Sequence, residues 1–280
     1  MRISTYILLM LFLALGTKAQ NLVPNPSFED TIVCPLNGDI LDAQFWFTPN
    51  GYSSNLLHSC NPNTTGSSGM STPANHFGFQ QPRTGEAYAG IHAVLWANEY
   101  NRELLEIGLI DTLEEGKCYE VEFYFSAADT FSSSLVTNIG VRFTNDSLLT
   151  WNLLGLSYLD DTTTFTSFNY DDWYRFSVIY TANGGEQFLT IGNFNFEADN
   201  DTIHSNNYNG PMSNLNFCYL YIDDVSVTEY ACHTDIAEQT KPKQLLHIVD
   251  VLGRTSKLKP HVLLFYIYDN GTVEKKIIIE

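Results

Sequence analysis

The chain has 280 residues, 44% of them hydrophobic and 14% aromatic, which is enough apolar material for one large core with an appendage and too much for a disordered chain. Residues 20–240 hold 28 Asp and Glu against 5 Lys and Arg, whereas residues 241–280 hold 4 acids against 7 bases. An acidic excess of that size argues against nucleic acid or an anionic membrane as partner of the larger part, since both are polyanions.

Residues 1–19 start with Arg2, continue in an apolar run from Tyr6 to Leu15 and close on Gly16-Thr17-Lys18-Ala19, the layout of a signal peptide cut after Ala19. No later stretch approaches ~18 uninterrupted apolar residues, so the mature chain is expected to have no membrane span and to be exported. Five cysteines in an exported chain favour bridges over reduced thiols. Cys34 and Cys60 both lie in turn-rich sequence, and closing that loop would stabilise by roughly 3.5 kcal/mol through chain entropy. Cys118 and Cys218 each open a strand and form a second candidate pair, which leaves Cys232 over.

Strands separated by turns follow. Asn21 to Phe28 reads as extended, Phe45 to Phe47 as a short aromatic strand, and Asn61 to Asn75 as loop because it is rich in Gly, Ser, Thr, Asn and Pro. Glu86 to Leu95 alternates weakly. Tyr119 to Ala127 alternates strongly, with Val121, Phe123 and Phe125 opposite Glu120, Glu122 and Tyr124, the mark of a half-buried strand. Residues 99–109 read as strand in preference to helix. Ile139–Thr144, Tyr174–Thr181 and Gln187–Asn193 complete the set, with Asn183-Gly184-Gly185 as a turn. Short strands without a helical period predict an all-β fold, a two-sheet sandwich or jelly roll.

The run Tyr219 to Val227, YLYIDDVSV, closes this domain. Unbroken alternation places Tyr221, Asp223, Val225 and Val227 on one face, with Asp224 on the other. Two adjacent carboxylates in a β-branched, apolar run need something cationic or hydrogen-bonding to answer them. Glu29, in NLVPNPSFED, supplies a further carboxylate if the first and last strands meet and share a cation. The other reading has Asp223 accepting backbone amides or pairing with Arg83. Beyond Cys232, residues 233–244 read as a polar linker and residues 245–280 as a compact β pattern, Leu245–Val251, Leu263–Tyr268 and Val273–Ile279, too small to bury much surface alone.

That tail resembles the C-terminal sorting domain of Bacteroidota proteins exported by the type IX secretion system. Asp250, Leu252, Gly253 and Arg254 match its D-x-L-G-R core, and Tyr266, Tyr268, Gly271, Lys275 and Lys276 match its closing hairpin. The usual Gly before the first tyrosine strand is absent, with His261 near that point. Residues 20–232 resemble a Bacteroidota extracellular family through NLVPNPSFE, Cys34-Pro35, Trp46, Phe77 through Ile91, Gly184 through Phe194 and Tyr221 through Val227. That family resembles in turn the galactose-binding-like jelly roll of carbohydrate-binding modules. The resemblance implies a jelly-roll β-sandwich, delivery to the outer surface or medium via the periplasm, and a structural Ca²⁺ with Glu29 and Asp223 as side-chain ligands. Oxygen-only ligation in acidic surroundings suits that ion.

A pyranose presents C–H surface that stacks on aromatic rings, with polar side chains alongside for its hydroxyls. Trp46 and Trp173 sit in strand-like runs and read as core. Tyr88, Trp96, Trp151 and Tyr208 border less regular sequence and are the candidate ligand residues, with Tyr100, Tyr158 and the Asn206–Asn209 loop near them. No H-E-x-x-H, G-x-S-x-G or P-loop is present, and Asp160-Asp161 and Asp171-Asp172 read as solvated turn acids, so the chain is expected not to be an enzyme. A glycan is the expected partner; the rival expectation is a structural or adhesive surface protein that contacts other proteins. D-[ST]-[LI] sequences at Asp30, Asp111, Asp146 and Asp201 resemble an O-glycosylation signal.

Overall fold

The computed structural model describes residues 19–94, 102–137, 139–148, 157–161, 167–195, 202–204, 217–232, 244–257, 259–269 and 271–277. Two units are present, one ending at Cys232 and one beginning at His233. The first contains β1 (Trp46–Phe47), β2 (Asn55–His58), β3 (Ala74–Asn75), β4 (Gly78–Phe79), β5 (Ala87–Val94), β6 (Leu105–Gly108), β7 (Cys118–Ala127), β8 (Ser134–Val136) and β9 (Gly140–Thr144). It continues with β10 (Leu159–Asp160), β11 (Tyr174–Thr181), β12 (Phe188–Gly192), β13 (Thr202–His204) and β14 (Cys218–Tyr230).

Ten of these strands form two antiparallel five-stranded sheets, ordered β1-β6-β12-β9-β10 and β11-β7-β14-β5-β2. A single apolar core draws on both: Trp46, Leu105, Ile107, Val141, Leu189 and Ile191 from the first, and Ala89, Ile91, Val121, Phe123, Phe176 and Leu220 from the second. The fold is an all-β sandwich of jelly-roll type. The alternation on β7 does what its pattern dictates, sending Val121, Phe123 and Phe125 into the core and leaving Glu120 and Glu122 outside, where Arg175 of β11 bonds both carboxylates.

Three expectations are corrected. Asn21–Phe28 is not a strand: Asn25 and Phe28 take positive φ, of 50° and 63°, and the segment runs as turns beside β14, held by Leu22 N–H on Val227 O at 2.8 Å and Val225 N–H on Pro26 O at 2.9 Å. On β14 the alternation breaks at Asp224, which has φ 52° and forms a β-bulge, so Val225 and Val227 join Leu220 and Ile222 in the core in place of sharing the Asp223 face. Cys118 is bonded to Cys232, with Cα atoms 5.2 Å apart, and Cys218 is the buried free thiol. Strand register explains the pairing: β14 runs antiparallel to β7, which places Tyr230 opposite Cys118 and brings Cys232 within reach, while Cys218 lies at the far end. Cys34 is bonded to Cys60.

A second apolar cluster lies on the outer face of the β14-β5-β2 side. Leu57, Tyr88, Tyr219 and Tyr221 come from the strands, Met70 and Phe77 from the segment between β2 and β5, and Ala128 from just past β7. β14 is apolar on both faces here, so the exposed side of the sheet requires a cover, and residues 59–82, starting at the Cys34–Cys60 bridge, supply it. Phe77 stacks on Tyr219 at 3.7 Å between ring centroids. Gly90 makes room: a Cβ there would lie 2.1 Å from the Tyr219 hydroxyl.

The second unit holds β15 (Leu245–Val249), β16 (Leu263–Tyr268) and β17 (Val273–Ile277) in one antiparallel sheet. Asp250 closes the turn after β15, accepting the amides of Leu252 at 2.9 Å and Arg254 at 3.1 Å and the Arg254 side chain at 2.9 Å, with Gly253 at φ 77°. The Arg254 bond holds the Asp250 carboxyl below its ordinary range. In the hairpin, where Gly271 takes φ 80°, Lys276 lies 4.9 Å over the Tyr266 ring and pairs with Glu274, which accepts the Tyr268 hydroxyl. Lys275 is exposed.

Candidate functional site

Two places in the first unit bring chemistry-bearing side chains together. One is the loop 83–87, between the cover segment and β5. Glu29 Oε1 accepts the amides of Glu86 and Ala87, both at 2.9 Å. Asp223, fully buried, accepts Arg83 N–H at 3.0 Å and Thr84 N–H at 3.3 Å on Oδ2, and Asp224 N–H at 2.8 Å on Oδ1. Asp224 takes the Ser27 and Thr84 hydroxyls, each at 2.6 Å, and the Arg83 guanidinium. Gly85 sits at the apex with φ 61°, and a Cβ there would fall 2.2 Å from Glu29 Oε1.

The first and last segments of the domain therefore meet at one loop through their carboxylates. Burial, followed by the charge of Asp224, pushes the Asp223 carboxyl up to about 8, against the pull of its three N–H donors. The donor set fits a hard cation in part: Glu29 and Asp223 supply oxygen, but each already takes backbone N–H groups. No group of three or more His, Cys, Asp or Glu stands in metal-binding arrangement among the described residues. Any cation here would need backbone carbonyls for most of its shell.

The second place is a cavity of about 430 Å³ at the end of the covered outer face, lined among others by Tyr52, Asn55, Phe77, His92, Glu103 and Phe131. β2 ends its pairing at Asn55, so the edge of β5 beyond Gly90 is open. Glu103 takes that edge: its amide donates to His92 O at 3.1 Å and its Oε2 accepts His92 N–H at 2.8 Å, while Oε1 accepts the Ser53 hydroxyl at 3.1 Å. Asn55 Oδ1 accepts the Tyr219 hydroxyl at 2.7 Å, and its Nδ2 donates to Gly38 O at 3.0 Å.

Glu103 is 5% exposed, and burial pushes its carboxyl up to about 7. His92 packs edge-on against Phe77, Phe217 and Tyr219, and burial lowers its ring to about 4, keeping it neutral. Its buried Nδ1 has no hydrogen-bond partner among the described residues. Phe131 and Tyr52 are half-buried at the wall. A mixed cavity with a few convergent polar groups and shifted titrations is the usual form of a small-ligand site.

The sequence-derived ligand residues do not build this cavity. Tyr88 is fully buried; its hydroxyl donates to Gln80 O at 3.1 Å and accepts Asn75 Nδ2–H at 3.0 Å, so its ring offers no face to a ligand. Trp96, Trp151 and Tyr208 lie outside the described residues, as do Tyr100 and Asn206–Asn209. Trp46 is core, its indole N–H on Asn25 O at 2.9 Å, and Trp173 packs half-buried against the outer cluster. Tyr158 lines a separate cavity of about 260 Å³ with Arg142, Tyr180 and Asn183. Sequence reasoning missed Asn55, His92 and Glu103. The available signal was Glu103 itself, a carboxylate set directly before the apolar Leu104-Leu105.

No protein family and no curated protein matches the chain. Among solved structures it is similar to the K1 cleaved adhesin domain of Lys-gingipain from Porphyromonas gingivalis W83, at 12% identity over 73% of this chain and 96% of that one, with a TM-score of 0.35. It is also similar to the CBM22-1-GH10 modules of endo-1,4-beta-D-xylanase 10B from Clostridium thermocellum, crystallised with xylohexaose, at 9% identity over 77% of this chain and 29% of that one, TM-score 0.35. The N-terminal cellulose-binding domain of a Cellulomonas fimi beta-1,4-glucanase C matches at 12% identity over 54% and 82%, TM-score 0.28. Likenesses at this level carry no argument about ligand or partner.

Proposed function

We propose that the protein is an exported, non-catalytic binding protein whose first unit takes a carbohydrate and whose second unit is the sorting signal that routes it through the type IX machinery to the outer surface or the medium. The cavity between Tyr52, Asn55, His92, Glu103 and Phe131 carries the binding reading, because it pairs aromatic walls with hydrogen-bonding side chains. The sorting reading rests on the Asp250–Arg254 turn and the Tyr266–Lys276 hairpin. No helix among the described residues is long and apolar enough to cross a membrane.

A glycan array on the mature protein, followed by calorimetry, tests the binding reading. Hits should weaken by about tenfold or more in Phe131→Ala and Asn55→Ala variants with unchanged circular dichroism. A blank array favours the second reading, an adhesive surface protein. That reading draws on the exposed apolar side chains Ile32, Val33, Leu36, Leu41 and Phe45 within one short segment.

Ca²⁺ at the 83–87 loop is a separate proposal, supported by the convergence of Glu29 and Asp223 there. It is expected to raise Tm by several degrees, on the order of 1–2 kcal/mol, with reversal by EDTA and loss of the effect in Glu29→Ala. A Tm indifferent to both ion and chelator leaves the two carboxylates as loop anchors.

A further inference from the structure

We propose that the cavity beside β5 selects a ligand carrying a protonated primary amine, held on Glu103 and against the rings of Phe131 and Tyr52. The inference rests on the binding role given above for the same cavity and adds the charge of what it takes.

The Glu103 carboxylate is almost wholly out of water and its two oxygens meet only neutral donors, His92 N–H and Ser53 Oγ–H. None of the ion pairs among the described residues includes it. Arg102, next in sequence, directs its guanidinium to Asn195 O. Of the titratable groups close to Glu103, His92 and Tyr219 give no positive charge, and His76 lies on the cavity wall with Phe77 and Phe131. His92 is kept neutral by burial and by the nearby His76, and Tyr219 is held far above its usual range by burial and by Glu103 itself. A buried carboxylate without a cation is strongly disfavoured, and a cationic ligand removes that penalty where a neutral one leaves it.

The remaining lining suits an ammonium in particular. An ammonium has three N–H donors and no acceptor. The cavity offers the Glu103 carboxylate and Asn55 Oδ1 with one lone pair beyond its bond to Tyr219, and His92 beside them keeps a buried Nδ1 without a partner among the described residues. Phe77 and Phe131, packed edge to face, add ring surface of the kind that attracts cations. Long-range attraction acts in the same direction, since residues 20–240 carry 28 acids and 5 bases.

An amine of this kind is found on an amino sugar or on a lysine side chain, and one matched series separates the two. Calorimetry at about pH 7.5, above the Glu103 titration, compares cellobiose, N,N′-diacetylchitobiose and fully de-N-acetylated chitobiose, which differ only at C2, with Nα-acetyl-lysine amide as the non-sugar amine. The expected result is binding of the free-amine disaccharide about tenfold or more tighter than the other two, with the preference lost in Glu103→Gln. Equal binding of all three disaccharides overturns the amine inference and leaves the carbohydrate reading standing. Binding of the lysine amide alone upholds the amine and overturns the carbohydrate reading. No binding by any of the four overturns both. Should Glu103→Gln fail to fold, the wild-type protein still decides: the preference for the amine should shrink as pH falls from 7 to 5 and Glu103 takes up its proton, and a preference unchanged with pH overturns the proposal.

Discussion

Asp223→Ala is expected to lower the stability of the first unit by about 3 kcal/mol at about pH 4, well below the raised Asp223 titration, read as a drop in the urea midpoint at constant m with EDTA present throughout. The substitution leaves three amide N–H groups, those of Arg83, Thr84 and Asp224, without the oxygens they now reach. It does so at a fully buried position next to a β-bulge. Each orphaned donor costs about 1–3 kcal/mol when water cannot replace the acceptor, and the exposure of Arg83 and Thr84 trims the sum. Asp223→Asn keeps one acceptor oxygen and should cost about half as much. A loss under about 1 kcal/mol for the alanine variant would mean that the 83–87 loop is held by Glu29 and Asp224 without Asp223. Because EDTA is present, the measurement reports the hydrogen bonds alone and is independent of whether Ca²⁺ binds there.

Much of this arrangement was legible in the sequence because it is local and periodic. The alternation of Val121, Phe123 and Phe125 with Glu120 and Glu122 fixes which face of β7 is wet, and the run at Tyr174–Thr181 is recovered with the same bounds. The meeting of Glu29 with the acidic pair of β14 was legible as an electrostatic need, and backbone amides, one of the answers weighed for Asp223, are its hydrogen-bond partners. Period alone misleads wherever a bulge resets it, and Asp224 does this, moving Val225 and Val227 to the opposite face from the one counted. The cavity was not legible at all. Asn55 is far in the chain from His92 and Glu103, and the three meet because β2 stops short beside β5. Their surroundings are made by a segment, residues 59–82, whose composition reads as plain loop. The aromatic candidates chosen for irregular neighbours failed at Tyr88 for the same reason: that segment covers it, and a cover cannot be inferred from the residues it covers.

Glu103→Gln is expected to stabilise the protein above pH 7 while leaving it unchanged or weaker at pH 4. In the folded chain the Glu103 carboxyl titrates near 7, against 4.5 when unfolded. Below about 4.5 both states hold the proton and burial of this side chain is favourable. Between 4.5 and 7 the unfolded state releases a proton that the folded state keeps, so stability falls as pH rises, and the loss, roughly 3 kcal/mol, is complete above 7. His92 slopes the other way: its folded value near 4 lies below 6.5, so its contribution is intact above 6.5 and is lost as pH falls toward 4. The two offset each other between 4.5 and 6.5. Glu103→Gln removes one slope, while those of His92 and of Asp223, raised to about 8, stay in both proteins, so the difference between variant and wild type should grow in the variant's favour from pH 4.5 to 7 and reach about 2 kcal/mol at pH 8, after about 1 kcal/mol for a weakened hydrogen bond. Urea midpoints at pH 4, 6 and 8 check this, and a difference constant in pH would mean that Glu103 keeps an ordinary carboxyl in the fold. The same carboxylate that weakens the empty protein at pH 8 is the group an ammonium would neutralise. An amine ligand should therefore raise the wild-type midpoint at pH 8 and leave that of Glu103→Gln almost unmoved.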